Sequence, residues 1–93
     1  MISTIIVEDD PVFRDMLLDM LPKANTKTNL VDTCTTLRQA KDSINLHQPQ
    51  LLLLDVELPD GKSIELLDHY DDKGTFEVIF VTSYDKYAIE AII

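Results

Sequence analysis

Four consecutive leucines, Leu51–Leu54, stand between two helix breakers, Pro49 and Pro59, and run directly into an aspartate, Asp55. Periodicity alone does not separate a buried strand from a buried helix over so few residues. The length of the run and its flanking prolines do, and they predict a strand covered on both faces. Two further runs share the design. Ile5-Ile6-Val7 runs into Glu8, Asp9 and Asp10, and Val78-Ile79-Phe80-Val81 runs into Thr82 and Ser83. An aspartate placed straight after four leucines is costly unless a site uses it.

The segments between these runs read as helices. Asp10-Pro11 supplies an N-cap and an N1 proline. Phe13, Met16, Leu17, Met20 and Leu21 follow at helical spacing, with Pro22 as the expected stop. Lys23 to Asn29 reads as a loop and Leu30 to Cys34 as a weak edge strand. Thr36 is placed to cap a second helix with Leu37, Ala40 and Ile44 on one face, ending before Gln48-Pro49. Ser63 to Tyr70 predicts a third helix that brings Ile64 and Leu67 together. Asp71 to Gly74 reads as a turn, and a fourth helix starts near Asp85 and is still running at Ile93. Alternation of strands and helices predicts an α/β fold with a parallel, doubly wound sheet, whose ligand site lies beyond the carboxyl ends of the strands.

Composition narrows the partners. Eight Lys and Arg against seventeen Asp and Glu leave a net charge of −9, which repels phosphate backbones and anionic lipid. No direct nucleic-acid binding by this segment and no membrane attachment are expected. Cys34 is the only cysteine, so neither an internal disulfide nor a multi-cysteine metal cluster is available. The first ten residues lack the basic start of a signal peptide, and the expectation is a cytoplasmic domain.

In a parallel sheet the polar residues at the strand ends converge, which groups Glu8, Asp9, Asp10 and Asp55. Two carboxylates about 5 Å apart repel by roughly 3 kcal/mol at an effective dielectric near 20. Such a group is unfavourable unless a cation or a proton joins it. All-oxygen donors favour Mg²⁺, which keeps its waters and needs few carboxylates. The plainer reading is that strand-end acids are solvated or cap helices, which suits Asp10 before Pro11. Other acidic and nucleotide motifs fail. An EF-hand loop counted from Asp55 would need Gly at position six and Glu at twelve, where Asp60 and Leu66 stand. Gly61-Lys62-Ser63 lacks the upstream glycine of a P-loop. His47 and His69 fall near helix ends, away from the carboxylates, which gives no support to a Ser-His-Asp triad.

Taken together, Ile5-Ile6-Val7-Glu8-Asp9-Asp10-Pro11, Leu51–Leu54 with Asp55-Val56-Glu57-Leu58-Pro59-Asp60-Gly61, and Val78–Val81 with Thr82-Ser83 resemble the receiver domain of bacterial two-component response regulators. The tail Thr82–Ala88 further resembles receivers joined to LytTR-type DNA-binding domains. The resemblance implies a flavodoxin-like fold with strand order 2-1-3-4 over residues 1–93, and a signalling module rather than an enzyme. It implies that Asp55 accepts a phosphoryl group from a histidine kinase, with Mg²⁺ held by Glu8, Asp9, Asp55 and the backbone carbonyl of Glu57. Thr82 would hydrogen-bond a phosphoryl oxygen, and Ser83 would keep access open. Pro59 and Gly61 would shape the loop after Asp55.

Family receivers continue into a fifth strand ending in Lys and a fifth helix, and this sequence ends at Ile93 in the expected fourth helix. Lys86, early in that helix, does not replace the missing Lys. A receiver lacking those elements is expected to expose apolar side chains from Ile5–Val7, Leu51–Leu54 and Val78–Val81, and either to self-associate, a homodimer being one form, or to be the ordered part of a longer chain. Two other readings compete with the phospho-acceptor. One is a receiver-like protein-interaction module without phospho-switching. The other is an aspartate-nucleophile phosphatase, which commonly carries a second Asp where this chain has Glu57 and needs a much longer chain.

Overall fold

The computed structural model describes residues 1–24, 26–68, 70 and 76–81. The central sheet holds β1 (Ile2–Val7), β2 (Thr28–Cys34), β3 (Leu51–Asp55) and β6 (Glu77–Val81), in the order β2-β1-β3-β6, with every neighbouring pair parallel. The remaining strands, β4 (Glu57–Leu58) and β5 (Gly61–Lys62), form a two-residue antiparallel ribbon just after Asp55. Among the described residues three helices accompany the strands: α1 (Pro11–Ala24), α2 (Leu37–His47) and α3 (Ser63–Leu67). The expected order holds, with β6 as the fourth strand of the main sheet.

The β-branched and leucine runs fill the centre because both their faces are covered. Ile5, Val7, Leu52 and Leu54 pack with Ala40 and Ile44 of α2 and with Leu66 of α3. Side chains alternate along a strand, so Ile6 and Leu53, both buried, face the other way. No residue of α1 belongs to the first cluster, which leaves that helix to the opposite face. Register aligns Ile6 with Leu53 and Val7 with Leu54, so β1 and β3 finish level and bring Glu8 and Asp55 to the same edge.

Several local expectations need correction. Pro22 does not end α1, which continues to Ala24. A proline in the last turn removes a single N–H from a ladder that is ending anyway, so the backbone carries on for two residues. Met16 and Met20 are half exposed, and the partly buried side is instead Phe13, Leu17, Leu18 and Leu21. β2 starts at Thr28, inside the expected loop, because pairing with Ile2 and Ser3 extends it where hydrophobicity gives no signal. Only five residues of the third helix form. They turn Ser63 and Leu66 inward and leave Ile64 62% exposed, not paired with Leu67. Ile79 and Phe80 on β6 are also substantially exposed, so that strand is not covered on both faces as the pattern predicts. The expected turn at Asp71 to Gly74 and the fourth helix with Lys86 lie outside the described residues.

Candidate functional site

Glu8 follows β1 and Asp55 closes β3 at the carboxyl edge of the sheet. The backbone N–H of Glu8 donates to the carbonyl of Cys34 at 2.9 Å, which continues the β1–β2 pairing and fixes the glutamate at the edge. Glu8 is 0% exposed and Asp55 7%, whereas Asp9 lies open to solvent. One carboxylate oxygen from each of Glu8, Asp9 and Asp55 lies within 4.8 Å of the other two. The grouping expected from the strand ends is therefore present for these three.

Asp10 is used differently. Its Oδ1 accepts from the N–H groups of Val12 at 3.0 Å and Phe13 at 3.5 Å, capping α1 ahead of Pro11. Its own N–H donates to Glu8 Oε2 at 3.1 Å. Oε1 of Glu8 is buried with no hydrogen-bond partner among the described residues. Burial, above all, and the neighbouring Asp55 push the Glu8 carboxyl up to about 8. Burial also raises Asp55, partly opposed by the adjacent Glu8 carboxyl and by the N–H groups of Val56 and Glu57. Near neutral pH a proton therefore sits on Glu8 and lets the two carboxyls share a dry edge.

The loop after Asp55 is held at two points that the sequence did not reveal. Ser63, fully buried, donates its hydroxyl to the Asp55 carbonyl and its N–H to the Val56 carbonyl at 3.0 Å. The hydroxyl of Gly61-Lys62-Ser63 is thus engaged with backbone and is not a phosphate-loop serine. Asp60 accepts from the N–H groups of Leu37 at 2.8 Å and Arg38 at 3.1 Å, across 22 and more residues of chain. An aspartate in a Pro-Asp-Gly turn reads locally as a solvated turn residue, and nothing in the sequence marks so distant a partner. Glu57 lies exposed on β4, next to the site in sequence. Thr82 and Ser83 lie outside the described residues. His47 sits 3.9 Å from Asp32, away from the three carboxylates, as expected.

Carboxylates alone, one with an orphaned buried oxygen, suit a hard divalent cation and offer nothing to a soft one. A family model, the response regulator receiver domain, matches residues 4–93. The chain belongs to this family. Among relatives of the receiver, the transcriptional regulatory protein CitB of Klebsiella pneumoniae is 39% identical over 85 residues, covering 88% of this chain and 35% of the relative. BtsR of Escherichia coli strain K12, also a transcriptional regulatory protein, is 28% identical over 91 residues, covering 98% of this chain and 38% of the relative. Among solved structures, the MaeR response regulator bound to beryllium trifluoride superposes with a TM-score of 0.80 at 32% identity, covering 99% of this chain and 77% of that one. The chain thus spans little more than a third of the length of these curated relatives. Receiver domains of this family interact with histidine kinases, and some dimerise. No helix among the described residues is long and apolar enough to cross a membrane.

Proposed function

We propose that this receiver accepts a phosphoryl group on Asp55 and so relays a signal from a histidine kinase in the cytoplasm. The observation that carries the reading is the convergence of Glu8, Asp9 and Asp55, with the buried Glu8 Oε1 left unpartnered. Mg²⁺ would be held by those three side chains and the Glu57 carbonyl, and when bound it neutralises the nucleophile and the phosphoryl oxygens. An oxygen of ionised Asp55 attacks phosphorus, the P–N bond of the kinase phosphohistidine breaks, and its electron pair returns to the imidazole. Burial excludes water around Asp55, and Ser63 steadies its main chain. Thr82 and Ser83, next along the chain after β6, are assigned the phosphoryl hydrogen bond and the open approach.

The output we propose is transcription, in keeping with the CitB and BtsR relatives, through a DNA-binding domain outside residues 1–93. The tail Thr82–Ala88 points to the LytTR type, and a basic, β-rich sequence encoded beyond Ile93 would establish it. At a net charge of −9 the receiver itself does not contact DNA. The half-exposed Ile79 and Phe80 favour pairing with a second copy.

Mass spectrometry after treatment with acetyl phosphate tests the phosphoryl acceptor. Phosphate is expected on wild type only with Mg²⁺, and not on Asp55→Asn. Equal incorporation into both proteins would contradict the assignment.

A further inference from the structure

The first four N–H groups of a helix have no partner within it and must be satisfied from outside. For α2 the regular ladder begins with Ala40, which donates to the Thr36 carbonyl at 3.0 Å, and three of the free donors are accounted for. Gln39 donates to the Thr36 hydroxyl at 3.1 Å. The remaining two, on Leu37 and Arg38, both go to the single carboxylate of Asp60. Thr36 is the local cap that any helix of this kind can have. Asp60 is a second cap, delivered from the turn between β4 and β5, five residues after Asp55.

A separate contact ties the same turn to the same helix. Gly61 has a φ of +146°, and a Cβ there would come within 3.1 Å of Leu37 Cδ1. The turn therefore lies close against the first residue of α2, in a backbone conformation that L side chains rarely adopt. At its other end the segment is fastened by Ser63 to the Asp55 and Val56 carbonyls. Between these two fastenings lies Glu57, whose backbone N–H, with that of Val56, is directed at the Asp55 carboxylate.

We infer that Asp60 is a positioning residue for the cation site: by clasping the start of α2 it fixes the path of the 56–61 segment, and with it the Asp55 side of the carboxylate group. The inference rests on the Mg²⁺ site proposed above. Asp60 touches neither cation nor phosphoryl group and acts through the backbone between itself and Asp55. Its carboxyl, held below the ordinary aspartate range by the Leu37 and Arg38 N–H groups, stays ionised and keeps the clasp closed across the neutral range.

The test compares two ways of uncapping one helix. Mg²⁺ affinity is measured by calorimetry on the full chain for wild type, Asp60→Ala, Asp60→Asn and Thr36→Ala, each alongside a thermal melt. Both alanine variants should lower Tm, because both uncap α2. Only Asp60→Ala should weaken Mg²⁺ binding, by roughly tenfold, the usual scale for loss of a group that supports metal ligands. Asp60→Asn retains an acceptor oxygen and should recover most of the affinity, and it serves as the reference should the alanine variant fold poorly. Unchanged Mg²⁺ affinity in folded Asp60 variants, or an equal loss in Thr36→Ala, would reduce Asp60 to a helix cap and overturn the inference. Absence of Mg²⁺ binding in wild type would instead overturn the site assignment on which it rests.

Discussion

Two carboxylates at neighbouring strands, Asp32 and Glu8, show what separates an acid satisfied by its surroundings from one that is not. Asp32, on the edge strand β2, is surrounded by donors. Its Oδ1 accepts from Thr33 N–H at 2.8 Å, and its Oδ2 accepts from the Ser43 hydroxyl and, at 3.9 Å, the Cys34 thiol, with His47 nearby. Glu8, which follows the adjacent strand, is surrounded by acids. One of its oxygens has a single backbone donor and the other has none, while Asp9 and Asp55 stand within 4.8 Å. Asp32 joins α2 to the sheet edge and needs nothing further. Glu8 needs a proton or a cation to be there at all.

The largest expected effect of breaking this contrast is on stabilisation by metal. Ligand at about 100 times its Kd adds about 2.7 kcal/mol, a rise in Tm on the order of 10 °C for a domain this size. Melts in Mg²⁺ and in chelator should show that rise in wild type and no more than about half of it in Asp9→Asn or Asp55→Asn. Asp32→Ala should instead behave alike in both conditions, retaining its Mg²⁺ response. It strips Ser43 and Cys34 of their acceptor, which costs about 1–3 kcal/mol. That makes it the largest loss of metal-free stability among these variants, read as a lower Tm in chelator.

Next in size is a gain. Without metal Asp9 and Asp55 still repel beside the protonated Glu8, so Asp9→Asn or Asp55→Asn should melt a few degrees above wild type in chelator, on the scale of about 1 kcal/mol for roughly 4–8 °C. Melting of both below wild type would mean that the acids are not crowded. A further effect is a slope with pH. Glu8, raised to about 8 when folded from an ordinary carboxyl value when unfolded, binds its proton more tightly in the native state. Its contribution is fully present below the unfolded value and is lost as pH rises through about 8. Metal-free Tm should therefore fall between pH 5 and 8, and Glu8→Gln should flatten that fall.

The same contrast explains what could be read from the sequence. Glu8, Asp9 and Asp55 were legible because parallel strands of known direction deliver their ends to one edge, and three apolar runs mark those ends. The caps at Asp10 and Thr36 were legible because their partners lie two or three residues on. The tie of Asp32 to Ser43 and the clasp of Asp60 on α2 were not, since those partners lie 11 to 23 residues away. Pro22 misled because a breaker acts weakly in a last turn. Ile64 misled because a helix of five residues has too little length for its periodicity to set the buried side, and burial of Ser63 and Leu66 set it instead.

The central claim is that Glu8, Asp9 and Asp55 make one cation site, and Mg²⁺ titration calorimetry tests it most directly. At pH 7 wild type and Asp32→Asn should each bind one Mg²⁺ with similar affinity. Glu8→Gln, Asp9→Asn and Asp55→Asn should each bind at least roughly tenfold more weakly. Unchanged affinity in those three variants, or a loss only in Asp32→Asn, would contradict the account.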